Sequence, residues 1–87
     1  MNIADTIRDR LSILEPESIE LFDESGKHFG HQGAMSGGGH YQVIIVASSF
    51  ANQPLQRRHR MVYEALGNMM HKEIHALAIK AYAPEEI

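Results

Sequence analysis

Apolar residues recur along this chain at different spacings, and each change of spacing marks a new element. From Asn2 to Leu14, the residues Ile3, Ile7, Leu11 and Leu14 follow at intervals of four, four and three, which places them on one face of a helix. Asn2 suits the N-cap, Asp5 complements the dipole of the first turn, and the helix closes before Pro16. Ser18 to Asp23 reads SIELFD, a run rich in β-forming residues that ends in the turn chemistry of Asp23, Ser25 and Gly26. This is the first strand. Tyr41 to Ala47 is the most hydrophobic run and carries the β-branched residues of a buried central strand. Pro54 then suits the first position of a second helix, with Leu55, His59, Val62, Tyr63, Leu66, Met69 and Met70 on one face and Arg57, Arg60, Glu64 and Asn68 on the other. Ile74 to Tyr82 alternates, with His75, Leu77, Ile79 and Ala81 on one parity and Ala76, Ala78 and Lys80 on the other, and ends near Pro84. The order is α-β-β-α-β. It predicts an α+β fold in which a three-stranded mixed sheet carries its helices on one face.

Between the first two strands, GKHFGHQGAMSGGG from Gly26 to Gly39 holds six of the seven glycines and has no apolar period, so it reads as a long loop. Loops of that length are usually functional or disordered. The 87 residues support one domain, 1–87, burying roughly 60% of the surface its unfolded chain exposes. No internal repeat or linker interrupts it.

Composition narrows the chemistry. The longest purely apolar run, Val43 to Ala47, is far too short to span a membrane, and Asp5 and Arg8 stand where a signal peptide would be apolar. A cytoplasmic protein with no membrane association is expected. With no cysteine, any soft metal or cluster must be held through imidazole or carboxylate, or share a partner's thiolates. A net charge of −3 argues against a broad nucleic-acid surface but leaves room for a local basic patch.

Topology alone places the six histidines. If the first two strands form an antiparallel hairpin and the second helix is a right-handed crossover to a parallel third strand, the hairpin loop and the start of the third strand share one end of the sheet. His28, His31, His40, His71 and His75 then gather there, and His59 lies at the opposite end. Neutral imidazoles converging on one edge suit zinc, copper or iron. The spacing does not identify a metal: His28 and His31 form an H-x-x-H pair that a solvated loop also accommodates, and His40 and His71 border regular elements where surface residues are common. His75 shares parity with core positions, which predicts a partly buried, rigid imidazole, suited either to ligation or to a structural hydrogen bond. His59 lies on the apolar face and reads as a structural histidine hydrogen-bonded within the fold. Around it, Arg57, Arg58 and Arg60 put cations in the first turns of a helix, where they oppose the dipole unless a phosphate or an acidic group compensates.

The DES of Asp23 to Ser25 with the following His28, Phe50, the RHRMVYEAL of Arg58 to Leu66 and the IHALAIKAY of Ile74 to Tyr82 together resemble the BolA family, in an order that spans nearly the whole chain. The resemblance implies a BolA-like fold related to class II KH domains. It also implies pairing with a monothiol glutaredoxin around a shared [2Fe-2S] cluster, held by a histidine of the hairpin loop and the histidine of the IHAL motif. Those positions are His28 and His75, with His31 as the substitute in the loop; a glutaredoxin cysteine and glutathione would supply the thiolates.

Family members also act as DNA-binding transcriptional regulators of cell shape and stress response. Gly30-His31-Gln32-Gly33 has the G-x-x-G form of a KH loop but lies in the hairpin rather than between two helices, so Arg57, Arg58 and Arg60 are the better DNA candidates. The leading expectation is a non-enzymatic adaptor in iron-sulfur homeostasis, a monomer or weak homodimer when alone. A DNA-binding regulator is the alternative. No nucleophile–base pair or paired catalytic carboxylates can be assembled from the sequence.

Overall fold

The computed structural model describes residues 2–24 and 39–87. Helix α1 spans Ile3–Leu11, strand β1 Ser18–Asp23, strand β2 Gly39–Val46, helix α2 Leu55–Leu66 and strand β3 Ile74–Tyr82. Short 3-10 turns follow α1, β2, α2 and β3. The order and the two outer strands agree with the sequence pattern. The predicted loop, with His28 and His31, lies outside the described residues apart from Gly39, which opens β2 two residues before the predicted start at Tyr41.

Local chemistry explains the ends of the helices. Asn2 accepts the Asp5 N–H on its side-chain oxygen at 2.8 Å, satisfying one of the orphan donors at the start of α1. At the far end of α2, the Leu66 carbonyl accepts from Arg10 Nη1 at 3.0 Å, so a side chain of α1 closes the second helix. Gly67 then takes φ +59°, a conformation in which any other residue is strained, and the chain leaves the helix as a 3-10 turn to His71.

The sheet order is β1-β2-β3, antiparallel across β1/β2 and parallel across β2/β3. The register pairs Ile19 with Ile45, Leu21 with Val43, and Val43 in turn with Ile79, giving one apolar face. Against it α1 contributes Ile7 and Leu11, and α2 contributes Val62 and Leu66, all fully buried. Phe50, from the 3-10 turn after β2, is the largest fully buried side chain. The other face of the sheet carries Glu20, Phe22, Gln42, Ala78 and Lys80; Phe22 is 45% exposed there.

Two predicted details are corrected. The apolar face of α2 is rotated: Leu55 and Tyr63 are exposed, and Arg58 lines the core beside Val62 and Leu66. Arg58 is 8% exposed because Glu86, in the turn after β3, meets its guanidinium in a bidentate pair at 2.6 and 2.7 Å. Arg58 Nε also donates to the Gln53 carbonyl and Nη1 to that of Ala81, while Glu86 accepts the Ala83 N–H. The anion that offsets an arginine at the helix start is therefore internal. Hydrogen bonding from Arg58, then from Ala83, holds the Glu86 carboxyl at a pKa of about 2, below its usual 4.5.

A folded-state pKa below the unfolded value means that the pair stabilises the fold fully above the usual carboxylate range and loses that contribution as pH falls toward about 2. Thermal melts taken down that range should therefore show a steeper loss of Tm in the parent chain than in Glu86→Gln. Equal slopes would remove the pair from the acid response.

Candidate metal centre

The second correction concerns His75. Between Gly39, paired with Ile74, and His40, paired with Ala76, the ladder takes two steps on β3 for one on β2. His75 is the extra residue of this bulge. An inserted residue shifts the alternation, so that Ile74 points into the core, Leu77, Ile79 and Ala81 stay on the core face, and His75 and Ala76 are both exposed. The predicted partial burial of His75 is overturned by this one-residue shift. Its backbone remains well held, between the fully buried Ile74 and a Gly39 N–H that donates to the Glu73 carbonyl at 2.9 Å.

On the neighbouring strand, His40 is half-buried and its ring lies 5.1 Å from that of His75, centroid to centroid, with the planes tilted by 39°. The crossover topology gathered His40 and His75 at one end of the sheet, and the strand register sets the two rings against each other. The signal for the pair is the strand register, which no local periodicity carries. His71, exposed, closes the 3-10 turn that leads into β3. The starts of β2 and β3 thus share one end of the sheet, as the crossover topology requires.

The opposite end carries the basic helix start. Arg57 and Arg60 are exposed and line a shallow depression with Pro54 and Gln56. Arg58, grouped with them in the sequence, is engaged inward by Glu86. His59 is half-buried beside Gln56, Arg60 and Tyr63. Its Nε2 is shielded from solvent and has no hydrogen-bond partner among the described residues, so the expected structural hydrogen bond is not formed through that atom.

The α-β-β-α-β order with its mixed sheet matches a known fold. Residues 11–86 fit the family model for BolA-like proteins. The chain belongs to the BolA family. Among its BolA relatives, the DNA-binding transcriptional regulator BolA of Escherichia coli K12 is 32% identical over 99% of this chain and 80% of its own length. Among solved structures, BolA1 from Arabidopsis thaliana superposes with a TM-score of 0.84 at 32% identity, covering 100% of this chain and 98% of that one. The BolA domain of SufE1 from the same plant gives 0.83 at 32% identity, covering 100% and 99%. In the curated relative, SufE-like protein 1, the match is 33% identical over 93% of this chain but spans only 24% of the plant protein. A BolA fold thus occurs both as nearly a whole chain and as a part of a larger one. No helix among the described residues is long and apolar enough to cross a membrane.

Proposed function

We propose that this BolA-like protein is a non-enzymatic partner of a monothiol glutaredoxin, sharing a [2Fe-2S] cluster and taking part in iron-sulfur homeostasis. The observation that carries the reading is the exposed His75 imidazole, projecting from a bulge whose backbone is held by its neighbours. A ligand shared with a second protein must be reachable from outside yet fixed in position, and His75 meets both conditions. His28 is the proposed second ligand, with His31 as its substitute. A chain without cysteine requires the thiolates to come from glutaredoxin and glutathione. Mixed imidazole and thiolate ligation gives a cluster a higher reduction potential than thiolates alone, and it requires both imidazoles to be deprotonated.

Anaerobic reconstitution of the chain with a monothiol glutaredoxin, glutathione, iron and sulfide tests the proposal. The expected product is a one-to-one heterodimer whose visible absorption co-elutes with both proteins. Two separately eluting proteins, with all the colour on the glutaredoxin, would reject it.

A second reading, a DNA-binding regulator, is favoured by the E. coli relative and by the exposed pair Arg57 and Arg60. Under it, affinity for duplex DNA falls steeply with salt, and Arg57→Ala with Arg60→Ala flattens the salt dependence by roughly one phosphate contact per arginine. Binding unaffected by both changes would leave the helix start without that role. Arg58→Ala is unsuitable for this measurement because it removes an internal anchor.

A further inference from the structure

We infer that His40 and His75 form a two-imidazole chelate for a single divalent transition-metal ion, Zn2+ being the best match. This site requires neither glutaredoxin nor glutathione and does not rest on the cluster reading, although it uses His75. The geometry is specific. With a zinc–nitrogen bond of about 2.0–2.1 Å, the centroid of a bound imidazole lies about 3.2 Å from the ion, and a tetrahedral angle separates two such centroids by about 5 Å. The rings of His40 and His75 are 5.1 Å apart.

Their placement is built into the backbone rather than left to rotamers. His40 sits inside the β2 ladder and is half-buried, which makes it the more firmly held member. His75 occupies the bulge opposite, 5.1 Å from His40 between ring centroids, and is exposed, so an ion held between the two rings stays open to solvent on that side. Without the extra residue at His75, the strict alternation would send that side chain to the core face, away from His40. Backbone bonds hold both strands at this point: the Glu24 N–H donates to the His40 carbonyl at 2.7 Å, and the Gly39 N–H to the Glu73 carbonyl at 2.9 Å. No third ligand joins them among the described residues. Two coordination positions therefore fall to solvent or to a partner's side chain, the open arrangement that distinguishes an exchangeable site from a closed structural one.

Zn2+ titration of the full chain, followed by the histidine ring signals in NMR, tests the inference, with Co2+ as a visible-absorbing stand-in for tetrahedral geometry. Replacing either histidine, His40→Ala or His75→Ala, is expected to weaken Zn2+ binding by at least about tenfold, with little further loss in the double variant, because a chelate is broken by removing either arm. His40→Gln, which preserves side-chain bulk, repeats the measurement should His40→Ala fold poorly. The His28→Ala/His31→Ala chain should bind as the parent does. Absence of Zn2+ binding by the parent, parental affinity in either single variant, or loss of binding in the His28→Ala/His31→Ala chain would each overturn the pair. The cluster proposal is separable: His40→Ala should still assemble the glutaredoxin complex while losing Zn2+. A parent that forms that complex without binding Zn2+ would sink only the chelate.

Discussion

Phe50→Ala is expected to lower stability by roughly 3–5 kcal/mol, the range for truncating a fully buried aromatic ring. Phe50 follows the central strand, is fully buried, and is the largest side chain so enclosed. It sits in one cluster with Ile7, Leu11, Val62, Leu66 and Ile74, drawn from both helices and the start of β3. Removing its ring therefore leaves a void that no single element can collapse to fill. A domain of this size has a total stability of roughly 5–15 kcal/mol, so the loss takes a large share of the margin. At about 4–8 °C per kcal/mol for such domains, Tm should fall by roughly 12–40 °C. Phe50→Leu, which keeps most of the apolar volume, should lose much less. Calorimetry on the two variants checks the order, and equal losses would mean that ring volume is not what Phe50 contributes.

The gross fold was legible because it rests on local patterns. The alternation from Ile74 to Tyr82, the β-rich run from Ser18 to Asp23 and the four-four-three spacing of Ile3, Ile7, Leu11 and Leu14 each predict their element without knowledge of any other. The site was less legible because it rests on register and on distant pairing. One inserted residue at the start of β3 reverses the side to which His75 projects and brings it against His40, and nothing in the alternation of Leu77, Ile79 and Ala81 announces it. Arg58 reads as one of three cations at a helix start until Glu86, 28 residues away, is seen to hold it inside. The same exchange explains the rotated face of α2, since a paired guanidinium occupies the core position that Leu55 and Tyr63 were expected to share. Burial of a charge follows from its partner, and helical periodicity carries no information about partners in another element.

Substituting His75 by alanine should abolish or strongly diminish the visible spectrum of the glutaredoxin complex while leaving the fold nearly untouched. The side chain is exposed and lines no part of the core, so its removal should change stability by no more than about 0.5 kcal/mol. Loss of the spectrum with an unchanged melt would therefore report ligation, whereas loss of both would report misfolding. His75→Cys sharpens the test: a thiolate at the same bulge can replace the imidazole, so colour should return, with a lower reduction potential because the ligand set becomes richer in thiolate. The pH response should change as well. Imidazole must lose its proton to bind, so acid should displace the cluster from the parent complex, and the cysteine variant, still dependent on the loop histidine, should retain part of that sensitivity. His28→Ala is the companion case. If His31 serves as substitute, His28→Ala should keep a weakened spectrum that disappears when His31 is also replaced. A His75→Ala chain that assembles the complex with the parent's spectrum and potential would remove His75 from the ligand set, because an exposed methyl group at the bulge offers the cluster no donor atom.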